Sequence, residues 1–220
     1  MLTPRQRWDL ALFLILLTAL VGFFWHEAQF PWEKHDDIDL LPLLRPEKHS
    51  VGAPWTREAD GIVSPPLPWS RIQVPYSPPE EYDLALSVRR IQGLDSLNIG
   101  LVSGGRQFMV ILDGESGSAA WIDRIDPGAP GSGSSRHSHK IFLEKETPVS
   151  IEVRVRKAGV TVTAKGLKIL DWQGAPASLS LFPNWKVPDS RALFLGSFET
   201  SYRIERLMLS PRSGAGTLLP

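Results

Sequence analysis

At 220 residues and 24.5 kDa the chain has room for one sizeable domain and an accessory segment. Its 24 basic and 24 acidic residues cancel, which excludes the basic excess of a nucleic-acid binder. It has no cysteine, so disulfides, thiolate zinc sites and cysteine nucleophiles are excluded too, while 18 glycines and 19 prolines point to many turns and few long helices.

Arg5, Arg7 and Trp8 precede an uncharged run from Leu10 to Trp25. Unbroken apolarity suits a bilayer, although the run is a little short of the ~20 residues a spanning helix needs. Trp8 and Trp25 fit the two interfaces, so residues 1–28 read as a cytoplasmic stub and a transmembrane signal anchor that contacts the lipid bilayer through residues 8–28. Two other readings stand beside it. A cleaved signal peptide would place His26 and Ala28 at the −3 and −1 positions, where small residues are preferred, and a buried core helix would normally carry more polar residues than Thr18 alone. Basic residues before the run and none after it until Lys34 put the N-terminus in the cytoplasm. The expected location is the inner (cytoplasmic) membrane, crossed once, with the C-terminal domain extracytoplasmic.

Residues 29–54 contain Pro31, Pro42, Pro46 and Pro54 without clear periodicity, and read as a stiff, extended linker. His35, Asp36, Asp37 and Asp39 form a charged loop there, lacking the further ligands that a metal site needs.

From Trp55 onward short strands are bounded by turn residues. The pattern predicts Gly61–Ser64, Ser70–Val74, Tyr82–Ile91, Ser96–Val102, Gln107–Leu112, Ala120–Ile125, Lys140–Leu143 and Ser150–Arg156. Gly159–Ala164, Lys168–Trp172, Leu193–Leu195 and Tyr202–Leu209 follow. Ile151, Val153 and Val155 alternate with charged residues, as Val160, Val162 and Ala164 do with polar ones, which gives a meander with one buried face. Gly159 and Gly166 are expected to supply the positive φ of its two turns. Phe108 to Leu112 is apolar on both parities, as for a strand buried on both sides. The fold class is therefore all-β: a two-sheet antiparallel jelly-roll sandwich over residues 55–212, preceded by a single N-terminal transmembrane helix and followed by a tail at 213–220. Pro127 to His139 is a Gly/Ser-rich loop, and Pro183 to Ser190 a second irregular one centred on Trp185.

Several stretches carry a family resemblance. They are Glu81-Tyr82-Asp83-Leu84, Ser96 to Val102, and Gly104-Gly105-Arg106 leading to Asp113-Gly114. Val153-Arg154-Val155 set against Val160-Thr161-Val162, Lys168 to Trp172 and Leu193-Phe194-Leu195-Gly196 complete the set. Over Trp55 to about Ser210 the chain resembles the concanavalin A-like lectin/glucanase jelly rolls, including laminin-G-like domains and the domain related to 3-keto-disaccharide hydrolases. The resemblance implies a sandwich that either binds sugars or hydrolyses them. The sequence departs from the pattern at Lys165, where Asp or Asn usually precedes the hairpin glycine.

No catalytic residue is assigned. The Glu-x-Asp-x-x-Glu strand motif of laminarinase-like members is absent, and Glu144-Lys145-Glu146 runs straight into Thr147-Pro148. His137-Ser138-His139 offers two imidazoles in a flexible loop, too few for a metal, and no cofactor fingerprint is present. Of the soluble tryptophans, Trp172 reads as core. Trp121 and Trp185, beside the two irregular loops, are the candidate ligand-binding residues, because an indole offers a flat apolar face for a sugar ring. The expected function is a membrane-tethered module that binds a glycan or an envelope protein partner without catalysis. Two alternatives are a glycoside or 3-keto-disaccharide-type hydrolase and a structural subunit of an envelope assembly.

Overall fold

A computed structural model describes residues 36–125, 137–138 and 142–220. The chain divides into two units, Met1–Lys34 and His35–Pro220. The expected stub and anchor at 1–28 lie outside the described residues, as does most of the loop 127–139. Among the described residues no helix is long and apolar enough to cross a membrane.

The second unit is built of strands. They are β1 (Ile38–Asp39), β2 (Ser50–Val51), β3 (Thr56–Glu58), β4 (Gly61–Val63), β5 (Ser70–Val74), β6 (Tyr76–Ser77), β7 (Glu81–Gln92), β8 (Leu97–Ser103), β9 (Arg106–Asp113) and β10 (Ala119–Ile122). After these come β11 (Arg124–Ile125), β12 (His137–Ser138), β13 (Pro148–Arg156), β14 (Gly159–Ala164), β15 (Leu167–Gln173), β16 (Leu179–Ser180), β17 (Leu193–Ser197), β18 (Ser201–Ser213) and β19 (Thr217–Leu218). One sheet runs β15-β14-β13-β7-β18-β4-β3, with β1 also paired to β18; the other runs β12-β10-β9-β8-β17-β5-β2. All the strand pairs within them are antiparallel, for example Val153 opposite Leu84 and Ile99 opposite Val110. This is the expected all-β sandwich.

Alternation places the core. Leu84, Leu86 and Val88 of β7 and Ile151, Val153 and Val155 of β13 face inward, and Leu97, Ile99 and Leu101 of β8 with Phe108, Val110 and Leu112 of β9 meet them from the other sheet. The Tyr82 hydroxyl joins the layers, donating to Val102 O at 3.0 Å and accepting from Val102 N at 3.1 Å. Burial without a neighbouring charge raises its pKa well above the ordinary tyrosine range.

Four details differ from the sequence reading. Residues 38–54 are not a free-standing linker: β1 pairs with β18, Leu40 N donates to Leu207 O at 2.8 Å, and Leu40 and Leu44 are fully buried in the core. The prolines there open single turns, Pro42 within Leu41–Leu43 and Pro46 at Pro46–His49, and Arg57 binds the Leu41 and Leu44 carbonyls. The stretch 213–220 is not loose either, since Ser213 ends β18, β19 pairs with β6 and Leu219 is buried. Phe142 and Leu143 lie outside any strand; their N–H groups bind the Asp113 carboxylate, which holds them against the core. Gly159 has no positive φ: a side chain there would lie 2.5 Å from Trp172 O, so close approach explains this glycine, while Lys165 and Gly166 form the left-handed turn.

Candidate functional site: an aromatic cleft beneath a loop strap

The second sheet is apolar on its outer face as well. Met109, Ile111 and Phe194 point away from the inter-sheet core and form a separate buried cluster with Trp185, Val187, Ala192 and Leu219. Their cover is the loop between β16 and β17, which crosses the sheet from one side to the other. Phe182 N donates to Asp123 Oδ2 at 2.9 Å, beyond the end of β10. Trp185 then rests on Gly196 of β17, where an added Cβ would lie 2.8 Å from Cζ3. On β5, Arg71 Nε donates to Lys186 O at 2.8 Å and Gln73 Oε1 accepts from Asp189 N at 2.9 Å. The loop returns over β9, where Gln107 Nε2 donates to Ala192 O at 2.7 Å. This strap is why β9 is apolar on both parities.

On one side of the strap a cleft of about 330 Å³ opens, lined by Trp69, Trp121, Phe182, Trp185 and Phe198 around Ile111. Its size is at the small end of the ~300–1,000 Å³ typical of ligand pockets, and its aromatic wall is the usual apolar lining. Trp69 is the hub, with ring centroids 5.1 Å from Phe198, 5.2 Å from Trp185 and 5.8 Å from Phe182. Its backbone is left-handed, φ 57°, which is strained for a bulky side chain, and Arg71 Nη1 steadies it by donating to Trp69 O at 2.7 Å. Trp121 lies over Gly114, where an added Cβ would fall 2.5 Å from Cη2, so the indole's seat depends on that glycine.

Polar groups interrupt this lining. Asn98 on β8, between Ile111 and Gly196 on the neighbouring strands, faces the cleft because Leu97 and Ile99 face the core. It is fully buried, and neither its Nδ2 nor its Oδ1 has a hydrogen-bond partner among the described residues. A buried amide without partners costs about 1–3 kcal/mol. Asp95 stands beside it, its Oδ1 accepting from Ser96 N at 2.7 Å while its backbone O accepts from Tyr202 Oη at 2.5 Å. Asp123 is buried, and burial raises its carboxyl pKa against the opposing Phe182 N–H and the Arg124 charge. Arg124 in turn lies over the Phe182 ring, 4.9 Å from its centroid. Exposed Glu115 completes a set of three carboxylates at the cleft.

Both tryptophans singled out from sequence line this cleft, in different ways. Trp121 is half-buried and presents part of its ring, whereas Trp185 is only 4% exposed and is a wall rather than an open platform. Trp55 and Trp172 are core residues. Sequence reasoning missed Trp69, Phe182, Phe198, Asn98 and Asp123. The one readable signal was Asn98, a polar residue inside the apolar alternation of Leu97 to Leu101. Glu144 pairs with Lys165 at 3.2 Å, away from the cleft, and His137 lies on β12. Among the described residues, no three His, Cys, Asp or Glu side chains are grouped so that they could hold a metal ion, the cleft carboxylates included.

The chain matches no family model and no curated relative. Among solved structures it is similar to the carbohydrate-binding module CBM66 from Bacillus subtilis, at 8% identity and TM-score 0.53, over 73% of this chain and 93% of that one. It is likewise similar to the apo Crh5 transglycosylase, at 10% identity and TM-score 0.56, over 83% of this chain and 86% of that one. At these identities the likeness is one of fold, and it agrees with the two-sheet antiparallel β-sandwich described above.

Proposed function

We propose that the chain is a glycan-binding module whose site is the aromatic cleft between Trp69 and Trp121. The observation that carries this reading is Asn98. Its amide is held under an aromatic-lined cleft with a donor and an acceptor unfilled, the pairing that a sugar hydroxyl or acetamido group completes. Trp121 supplies the flat apolar face, and the three carboxylates favour an uncharged sugar over an anionic one. The fold shared with a carbohydrate-binding module supports the reading. A glycan-binding screen of the full-length chain tests it: binding should be lost in Asn98→Leu and weakened about tenfold in Trp121→Ala, a change of ~1.4 kcal/mol. Retained binding in both variants would sink it.

A catalytic reading has one observation in its favour, the buried Asp123 carboxyl with its raised pKa at the cleft. Against it, Asp123 and Asp95 each accept a backbone N–H, as structural carboxylates do. Release of new reducing ends from a bound glycan, abolished in Asp123→Asn, would decide for hydrolysis.

The module's placement outside the inner membrane belongs to the same proposal, supported by the apolar run from Leu10 to Trp25 and the basic residues before it. Alkaline phosphatase fused after Pro220 should then be active; an inactive fusion to a stable chain reverses the orientation.

A further inference from the structure

Strand register fixes where the charges of the cleft stand. On the outer face of the second sheet Trp121, Ile111, Asn98 and Gly196 form one row, each paired with the next across neighbouring strands. Asp123 and Asp95 lie on opposite sides of that row. Asp123 N donates to Met109 O at 2.8 Å, level with Gly100 beyond Asn98, whereas Asp95 precedes the start of β8. Each uses one carboxylate oxygen to accept a backbone N–H, from Phe182 and from Ser96, and the other oxygen has no hydrogen-bond partner among the described residues.

Glu115 is the third carboxylate of the lining, and among the described residues no lysine, arginine or histidine lines the cleft. Two guanidinium groups stand near it. Arg124 lies over the Phe182 ring, and Arg71, opposite Gly196 at the end of the row, donates to the Trp69 and Lys186 carbonyls. Aromatic faces carry partial negative charge, so a wall of five rings with carboxylates between them attracts a cation more strongly than a neutral group of equal size. Arg124 over Phe182 is one such pairing already made. Positive charge is still short there, since burial raises the Asp123 carboxyl pKa in spite of Arg124.

From this arrangement we infer that the glycan unit in the cleft is an amino sugar whose amine is not acetylated and enters as an ammonium. This rests on the glycan reading above and names the class of sugar. The ring stacks on Trp121, hydroxyls complete the Asn98 amide, and the ammonium meets the open carboxylate oxygens that flank the row.

The test is isothermal titration of the full-length chain at mildly acidic pH, where the amine is protonated. The probes are methyl glycosides of glucosamine, galactosamine and mannosamine, their N-acetyl forms, and the glucose, galactose and mannose counterparts. For the series that binds, the free amine should exceed both counterparts in affinity by about tenfold at low salt, and the margin should shrink as salt is added. A margin below about threefold overturns the ammonium and leaves glycan binding standing. Asp95→Asn combined with Asp123→Asn keeps an oxygen for each backbone N–H and should narrow the margin to about twofold. A margin that survives the double variant undiminished overturns the inference too, because the carboxylates are then not its source. Failure of every probe to bind overturns both readings.

Discussion

Asn98 shows how one side chain is placed against the interest of stability. Its neighbours Leu97 and Ile99 supply the inward face of β8, and alternation then forces position 98 onto the outer face, beneath the aromatic rings. A leucine, which has the same branched set of side-chain heavy atoms, would remove the unpaired amide. We therefore expect Asn98→Leu to raise stability by about 1 kcal/mol in denaturant unfolding while losing ligand binding. A destabilised variant would show that the amide is satisfied in the folded chain. Asp123 gives the second residue-scale expectation. Burial raises its folded pKa above the ordinary 3.8, so the folded state holds the proton more tightly than the unfolded state. Its charge therefore costs stability progressively as pH rises from 3.8 through the raised value, and costs nothing well below it. Asp123→Asn keeps an acceptor for Phe182 N–H and removes that cost. Its Tm should exceed the parent's at neutral pH and converge with it in acid; parallel curves would contradict the assignment.

Individual elements were legible from sequence where one face is wet and one dry. β7, β13 and β14 show period-two alternation, with polar or charged residues on the solvent face marking the register. β9 is apolar on both parities and so legible as buried on both faces, yet nothing local says what buries its outer side, since the strap arrives from residues some 70 positions later along the chain. The Tyr82 clamp is another contact between elements that no local pattern reveals: one hydroxyl serves both backbone groups of Val102 on the opposite sheet. Tyr82→Phe strands both groups in a dry interior and should cost about 2 kcal/mol in chemical denaturation, with glycan affinity unchanged. A loss below about 0.5 kcal/mol would show that Val102 finds other partners.

At the scale of the whole molecule the domain begins earlier than its strand pattern does. Leu40 and Leu44 are fully buried, and truncating such a leucine typically costs ~2–5 kcal/mol each. A chain starting at Asp36 should unfold cooperatively, and one starting at Trp55 should be less stable by about 4 kcal/mol or more, measured by urea melts; equal midpoints would refute the docking of this segment. The sequence by itself determined the fold class, most strand positions and the irregular stretch around Trp185, because alternation, glycine and proline act within a few residues of where they stand. Only the tertiary structure decided that the Pro-rich stretch belongs to the core, that Trp185 is a wall while Trp121 faces the opening, and that Asn98 lies between them. Those outcomes depend on which distant segments meet, and burial energies that act across the chain leave no periodic trace along it.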